Sequence, residues 1–480
     1  MLYSFKFNSI KKPYLICEPG KRRSAFATIK RNLFYLPNMP GALHDSTDTE
    51  IRVIEQPIAI NGKDRFDVRV LEEDLARWLI TAGTQELVFE DEPDRTYFGM
   101  VDGSLNIEDI ARFGKGVITF ICIDPYKYGP LHEETYRDLA TPINLNNKGS
   151  AETPPYFSMV LAQPATHLDI ITEDAFMRIG RENAVTDTVY EKYTRVFSDT
   201  MNNLTGWATA LWTPDGGAKG GFFKTNGNDF YADDFGSGSA WHGPAMTKSL
   251  NEVVSDYQVR ATFRLDRKQN QRKRAEVYLI STSGAIIGKV SVLQRRTSGV
   301  EVEINLRNMS KNVFLYVDEW KYKEEFSGYI ELSKEGTNFE FSIGQQVASG
   351  EGKTYQNHTI YKLGPEPYID SISSFQEDLA AVGIHVGTYG NNETPKYANI
   401  REIIVNKINS EPNGIPYIGG AGDVFEFDMR NSLILKNGDI FNRKAFAASF
   451  FNLQPGNNPL VISPYINISS FYASWRDAYL

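Results

Sequence analysis

The sequence predicts a mainly β protein, with a β-sandwich-type domain at the N-terminal end and a further β-sandwich split by an inserted jelly-roll sandwich. Three observations predict this. Strand-length runs alternating apolar with polar residues recur along the chain, which is the period of a half-buried strand. Two strand-like runs, Tyr193-Thr194-Arg195-Val196-Phe197 and Ile400-Arg401-Glu402-Ile403-Ile404-Val405, bracket a stretch far too long to be a loop. Convincing helical spacing occurs in one place, between Leu71 and Ile80.

Composition agrees and excludes several classes. At 480 residues the chain has length for two to four domains, and 41% hydrophobic with 23% charged residues is a globular balance. The 29 Phe and 25 Tyr favour strands. A formal charge of −9 argues against a general nucleic-acid binder. Cys17 and Cys122 are too few for a disulfide framework or a cysteine zinc site, and each reads as a small core residue or a free thiol. Met1 to Phe7 lacks the apolar core of a signal peptide, and no window is apolar over the ~18 residues of a membrane helix. The expectation is synthesis in a cytoplasm without membrane insertion.

In chain order, Lys11-Lys12 and Lys21-Arg22-Arg23 precede a loop-like stretch, Leu36-Pro37-Asn38-Met39-Pro40-Gly41-Ala42-Leu43. Ile51-Arg52-Val53-Ile54 and Asp67-Val68-Arg69-Val70 read as strands. Leu71, Leu75, Trp78 and Leu79 then share one helical face, with Glu72, Glu73 and Asp74 in the first turn and Gly83 as the stop. Trp78 should pack this helix on a sheet. Next, Phe89-Glu90-Asp91-Glu92-Pro93 leads through a turn to Tyr97-Phe98-Gly99, and Val117-Ile118-Thr119-Phe120-Ile121-Cys122-Ile123 has the length and composition of a central strand. Asp124-Pro125-Tyr126-Lys127-Tyr128-Gly129 closes this region.

The ordered pair "FEDEP…Y" and "F.C.DPYKYG", behind a basic start, a helix and a strand, resembles the N-terminal domain of the distal tail protein family of long-tailed, non-contractile bacteriophages. The Leu36 to Leu43 stretch is similar to that family's arm or belt. The resemblance covers about the first 180 and last 75 residues. It implies a homo-hexamer, a ring in the virion at the tail tip or baseplate that joins the tail tube protein to the tip or tail-associated lysin protein. Its N-terminal domains would line a channel that DNA only passes through, and galectin-like domains would project outward.

From Pro130 the text becomes extended and hydroxyl-rich. His167-Leu168-Asp169-Ile170-Ile171-Thr172 and Ala175-Phe176-Met177-Arg178-Ile179-Gly180 form a hairpin pattern. A corresponding pattern returns at Gly422 to Asp428 and Ser432 to Gly438, where Asn437-Gly438 is a turn signal. Phe451 to Ser463 and Phe471 to Arg476 resemble the last strands of the family's galectin-like domain. The expected domains are therefore 1–133 for the ring and belt, 134–183 and 407–480 for a galectin-like sandwich in two parts, and 184–406 for the insertion. Paired flanking strands are what let a domain be inserted without breaking its host.

Within the insertion, Tyr257 to Phe263, Ala275 to Ile280, Val300 to Ile304 and Phe339 to Ile343 alternate at strand period, as in a sandwich or jelly roll. Phe197-Ser198-Asp199 followed by Leu204-Thr205-Gly206-Trp207 resembles the start of carbohydrate-binding jelly rolls. Sugar recognition needs flat aromatic faces beside amides and carboxylates. Trp212 to His242 supplies Trp212, Phe222, Phe223, Phe230, Tyr231 and Trp241 among Asn226, Asn228, Asp229, Asp233 and Asp234. Each aromatic is either core or platform. Trp207 reads as core, while Trp212, Tyr231, Trp241, Asn228 and Asp229 are the candidate carbohydrate-binding set. Calcium at Asp229, Asp233 and Asp234 is an alternative without EF-hand spacing. No metal site, cofactor or catalytic residue is expected otherwise.

Glu301 and Glu303 would share one strand face and could mimic a glycosidase pair, against the simpler reading of two solvated residues. No GxSxG, HExxH, Walker-type or CxxC motif occurs. The basic run Arg267 to Arg274 reads as a solvated loop, with a polyanionic wall polymer as the sharper partner. The expected function is a structural tail hub carrying a module for host cell-wall saccharide adhesion. The alternatives are a secreted polysaccharide-active enzyme with accessory β-domains and the equivalent hub of a phage-derived bacteriocin.

Overall fold

The computed structural model of the chain describes residues 3–20, 22–37, 39–110, 113–184, 186–266, 271–296, 299–308, 311–319, 325–375, 377–391, 398–411 and 413–480. They form two compact units: Met1–Gly180 with Gly420–Ile434 and Arg443–Leu480, and Arg181–Gly419 with Leu435–Asn442. Both are built of strands, and the single α-helix among the described residues is Arg65–Leu79.

The first unit opens with a sheet ordered Phe5–Phe7, Gln85–Phe89, Tyr97–Asp102, Phe113–Cys122, Arg52–Asn61 and Leu15–Cys17. The helix packs on it because Leu75, Trp78 and Leu79 fall on one face and join Phe5, Phe7, Phe89 and Phe120 in a single core. Trp78 stacks on Phe5 at 5.5 Å, and its Nε1 donates to the Phe7 carbonyl at 3.0 Å. Both Cys17 and Cys122 are buried, and neither is in a disulfide.

The helix starts earlier than its apolar spacing indicates. Asp67 to Val70, expected as a strand, is its first turns, because Asp64 caps it by accepting from the Asp67 N–H at 2.9 Å and Val68 is buried. Two alternations of polar and valine mimic strand period over so short a window. Asp67, rather than Glu72 to Asp74, is the acid in the first turn, and the helix stops at Ile80 in extended backbone, before Gly83. Asp74, well inside the helix, instead accepts from Lys12 and Tyr14, each at 2.6 Å.

Ile29–Phe34 and Leu43–Thr49 pair as a separate two-stranded arm whose tip is the Leu36 to Leu43 stretch, in which Asn38 lies outside the described residues. Phe34, Tyr35 and Met39 on this arm are 59%, 69% and 52% exposed.

The rest of the first unit is a sandwich. One sheet runs Lys127–Tyr136, Ile468–Tyr479, Tyr156–Leu161 and Val424–Asp428, and the chain then enters the edge hairpin Leu433–Lys436 and Asp439–Ile440, whose residues from Leu435 onward belong to the second unit. The facing sheet runs Ile143–Asn147, Gly456–Ser463, His167–Ile171 and Phe176–Gly180. Asn437 at φ 51° and Gly438 at φ 80° make the edge-hairpin turn that the Asn-Gly pair signals.

The second unit is a larger β-sandwich of two facing sheets. Its back sheet contains Phe230–Asp234, Ala398–Ile408, Tyr257–Asp266, Glu325–Glu335, Asn338–Ala348 and Asn357–Ile369 in that order. Its front sheet contains Ala245–Val254, Leu379–Tyr389, Lys273–Ser281, Ile286–Gln294, Glu301–Asn308 and Lys311–Glu319. Val259, Phe263, Val277, Val290, Ile330 and Ile384 are among the apolar side chains sealed between them. Tyr193–Asp199 pairs antiparallel with Ala398–Ile408, Tyr193 opposite Ile408, so the chain enters and leaves the unit side by side. Leu435–Asn442 belongs here because Asp439 accepts from Arg260 Nη1 at 2.6 Å, Tyr329 Oη at 2.7 Å and Thr359 Oγ1 at 2.6 Å.

Of the basic run, Arg267 to Asn270 lies outside the described residues. Of the remainder, Arg272 is exposed as expected of a loop, but the last two residues are not solvated. Lys273 and Arg274 begin a strand and are buried, Lys273 on Asp266 and Arg274 3.2 Å from Glu276. Carboxylates placed beside these cations let them be buried, which a count of charges along the chain does not reveal.

Candidate functional site

The candidate residues separate onto two sheets. Asn228, Asp229 and Tyr231 lie at the Phe230–Asp234 edge of the back sheet, whereas Trp212 and Trp241 lie on the outer face of the front sheet. Asp229 is buried, accepting from Asn399 Nδ2 at 2.9 Å and standing 3.3 Å from Arg401 Nε. The backbone N–H groups of Asn228 and Asp229 both donate to Asn226 Oδ1 at 2.9 Å, a local turn. Asp233 pairs with Lys224 at 2.8 Å. Asp229 is thus a structural carboxylate and Asp233 a surface ion-pair partner, and among the described residues no three His, Cys, Asp or Glu side chains gather as metal ligands.

Phe223 and Phe230 belong to the core, and so does Trp207, whose Nε1 donates to Asp199 at 3.0 Å. Trp212 is half-buried. Its ring meets Tyr278 at 4.5 Å and its Nε1 donates to Thr247 Oγ1 at 2.7 Å. Gly383 makes room beneath it, since a Cβ there would overlap the indole. Trp241 is also half-buried, edge-on to Tyr389 at 5.4 Å, with the Arg274 guanidinium 4.8 Å from its ring centre.

Between the two indoles lies a buried polar network. Lys289 Nζ is 2.8 Å from both Glu276 and Glu303 and 3.2 Å from Asp215. Arg307 also grips Asp215, donating from Nη1 to Oδ1 at 2.8 Å and from Nη2 to Oδ2. Burial would raise the Glu276 carboxyl, but Lys289 and then Arg274 outweigh it and hold it at about 2. His385 is pushed down to about 3, first by burial and then by Arg274. It is therefore neutral, its Nδ1–H donating to the Pro244 carbonyl at 2.9 Å and its Nε2 accepting from Arg274 at 3.1 Å.

Glu301 and Glu303 are not the two solvated residues expected. Arg295 bridges them, with 3.0 Å to Glu301, and Glu303 is buried on Lys289 as well. Their shared strand face was legible from period-2 spacing, but the cations that bind them come from a neighbouring strand. Sequence reasoning missed Tyr389 and read Arg272 and Arg274 only as members of the basic run. The basic run was visible, yet nothing local announces that Tyr389 pairs beside it.

In the first unit the two motifs form one set of anchors. Glu92 accepts from Tyr97 Oη at 2.7 Å and Lys127 Nζ at 2.9 Å, while Asp91 accepts from Arg23 at 2.7 Å. Asp124 accepts from Tyr128 Oη at 2.7 Å and Arg430 Nη1 at 2.8 Å. Burial, and then the Asp124 charge, push the Tyr128 hydroxyl up to about 12. Beside these groups opens a cavity of about 640 Å³, lined in part by Tyr126, Glu152, Arg430 and Asn452. The acidic turn and the DPYKYG segment thus tie the first sheet to the start of the sandwich.

Residues 10–122 match the family model described as phage tail protein RIFT-related domain. This stretch of the first unit is thus similar to a phage tail domain. Over 84 residues the chain is 33% identical to the distal tail protein of Bacillus phage SPP1, covering 18% of this chain and 32% of that protein. The chain thus spans about a third of the length of that curated relative. The crystal structure of the SPP1 Dit protein matches with a TM-score of 0.34 and 22% identity over 38% of this chain and 75% of that one. The CBM2 module of the evolved Dit of Lactobacillus casei BL23 phage J-1 matches with a TM-score of 0.36 and 14% identity over 46% of this chain and 98% of that one. The acidic turn and the strand Phe113–Cys122 lie inside the matched phage tail domain, and Asp124 to Gly129 follow directly after it.

Proposed function

We propose that this chain is a distal tail protein, a virion component at the tail tip. On this reading a homo-hexameric ring joins the tail tube protein to the tip or tail-associated lysin protein, and the second unit adheres to a host cell-wall saccharide. The phage tail domain at residues 10–122 is the observation that carries the reading. The arm supports the ring, because Leu33, Phe34, Tyr35 and Met39 leave apolar surface in water that a neighbouring copy would cover. A chain of net charge −9 suits a conduit, because it holds passing DNA weakly. The role is structural rather than catalytic. Glu301 and Glu303, the only pair the sequence suggested for glycoside hydrolysis, are bound to Arg295 and Lys289 and are unavailable as acid or nucleophile.

Light scattering of the purified chain tests the ring. The expected mass is that of a hexamer, and deletion of residues 29–49 should return the monomer. A full chain that stays monomeric at high concentration, alone and with tail tube protein, would remove the ring. Adhesion is tested by decoration of host cell walls with fluorescently labelled full chain. Unlabelled walls would leave the second unit as a spacer.

A further inference from the structure

We propose that the ligand of the second unit is an anionic glycan, a sugar polymer bearing phosphate or carboxylate groups, bound on the outer face of the front sheet at Trp241, Tyr389 and Arg272. The inference rests on the adhesion reading above and narrows it to a chemical class.

Strand register places the groups together. Lys273 pairs with Thr388, Arg274 with Gly387, and Trp241 with Tyr389. Side chains alternate along a strand, so Arg274, Tyr389 and Trp241 project from the outer face, and Arg272, just before the strand Lys273–Ser281, reaches the Tyr389 ring there. Arg274 is buried with its guanidinium carbon 4.8 Å from the centre of the Trp241 ring, and this half-buried indole keeps part of its surface in solvent. Arg272 is exposed, its guanidinium carbon 5.0 Å from the centre of the Tyr389 ring.

The two arginines differ in what balances them. Arg274 is met by Glu276, His385 and the Asp215 carbonyl. Among the described residues no carboxylate pairs with Arg272. A site built for a neutral pyranose sets an open ring beside amides or carboxylates that take up sugar hydroxyls. Here one ring lies against a guanidinium, the other is backed by one, and the exposed polar group beside them is a cation. A guanidinium held along an aromatic face keeps donors in a fixed plane, which matches the paired oxygens of a phosphate or carboxylate. The part of the Trp241 indole left in solvent remains for the adjoining sugar ring. Because the chain carries net negative charge, polyanions are repelled by most of its surface, and this cationic spot concentrates what binding there is.

The full chain, immobilised at high density so that many copies act together, is probed with poly(glycerol phosphate), polygalacturonate and dextran. Retention of either polyanion above dextran is expected, weakening as salt rises, and the stronger of the two identifies phosphate or carboxylate as the recognised group. Arg272→Gln, at an exposed position that should not affect folding, should lower polyanion retention about tenfold. Trp241→Ala should lower it as well, and Arg181→Gln, an exposed cation elsewhere, should leave it unchanged. Dextran retained as well as the polyanions, with Arg272→Gln silent, overturns the anionic class while adhesion stands. Equal losses from Arg272→Gln and Arg181→Gln overturn the site. Retention of none of the three overturns the inference, and the decoration of host walls then decides separately whether the adhesion reading survives.

Discussion

Lys289 holds its ammonium 2.8 Å from the Glu276 carboxylate, with both side chains buried on the sheet face that carries Trp212 and Trp241. Removing water from two ions costs several kcal/mol each unless they are paired, so neither can be deleted alone without leaving a buried charge. Lys289→Met should therefore cost about 3–5 kcal/mol, read from denaturant unfolding of the full chain. Lys289→Met with Glu276→Gln should recover much of that loss. Equal losses in the single and double variants would show that the pair is not what stabilises this face.

The same network gives acid sensitivity of known sign. Glu276 is lowered from its ordinary 4.5 to about 2 in the folded chain, against the effect of burial, by Lys289 and Arg274. Asp215 is lowered from 3.8 to about 2, again against burial, chiefly by Arg307 and then Lys289. Below the ordinary values the unfolded chain binds more protons than the folded one. This contribution is thus whole above about pH 5 and is lost as pH falls toward 2. Urea midpoints measured across that range should fall more steeply for the wild type than for Glu276→Gln. Parallel slopes would mean that the carboxylate is not depressed in the folded state.

Much of this architecture is written at strand period. The hairpin His167–Ile171 with Phe176–Gly180, the strand Phe113–Cys122 and the Asn437-Gly438 turn follow from local patterns, because each depends only on neighbours along the chain. Asp67 to Val70 was misread because Asp64, the cap that starts the helix, lies outside so short a window. The candidate site was less legible for a different reason. Whether Trp212 or Asp229 is a platform or a structural group depends on Tyr278, Thr247, Arg401 and Asn399, which are distant in sequence. Lys273 and Arg274 look like surface charge until Asp266 and Glu276 are placed beside them.

The second unit should be removable. Its chain enters and leaves through the paired strands Tyr193–Asp199 and Ala398–Ile408, and its apolar core is its own. Replacing Arg181–Gly419 by a short Gly/Ser linker between Gly180 and Gly420 should leave a protein that unfolds cooperatively. The excised segment should do so too, somewhat weakened by loss of Asp439 and its bonds to Arg260, Tyr329 and Thr359. Loss of cooperative unfolding in the shortened protein would assign part of the insertion to the host core.

Trp212 and Trp241 share a sheet face but should fail differently when truncated. Trp212 fills the space over Gly383, packs on Tyr278 and donates to Thr247, so Trp212→Ala removes packing and leaves a hydroxyl without its donor. A loss of about 2–3 kcal/mol in unfolding free energy is expected. Trp241 stands near-perpendicular to Tyr389 at 5.4 Å with Arg274 beside its ring, and among the described residues no hydrogen bond of its indole matches the one that holds Trp212 in place. Trp241→Ala should cost about 1 kcal/mol or less, so that any loss of wall decoration in this variant reports binding rather than unfolding. Trp212→Ala should lose decoration only in step with folded protein, as followed by circular dichroism at the assay temperature. If Trp212→Ala stays fully folded and loses decoration while Trp241→Ala keeps it, the roles assigned to the two indoles are reversed.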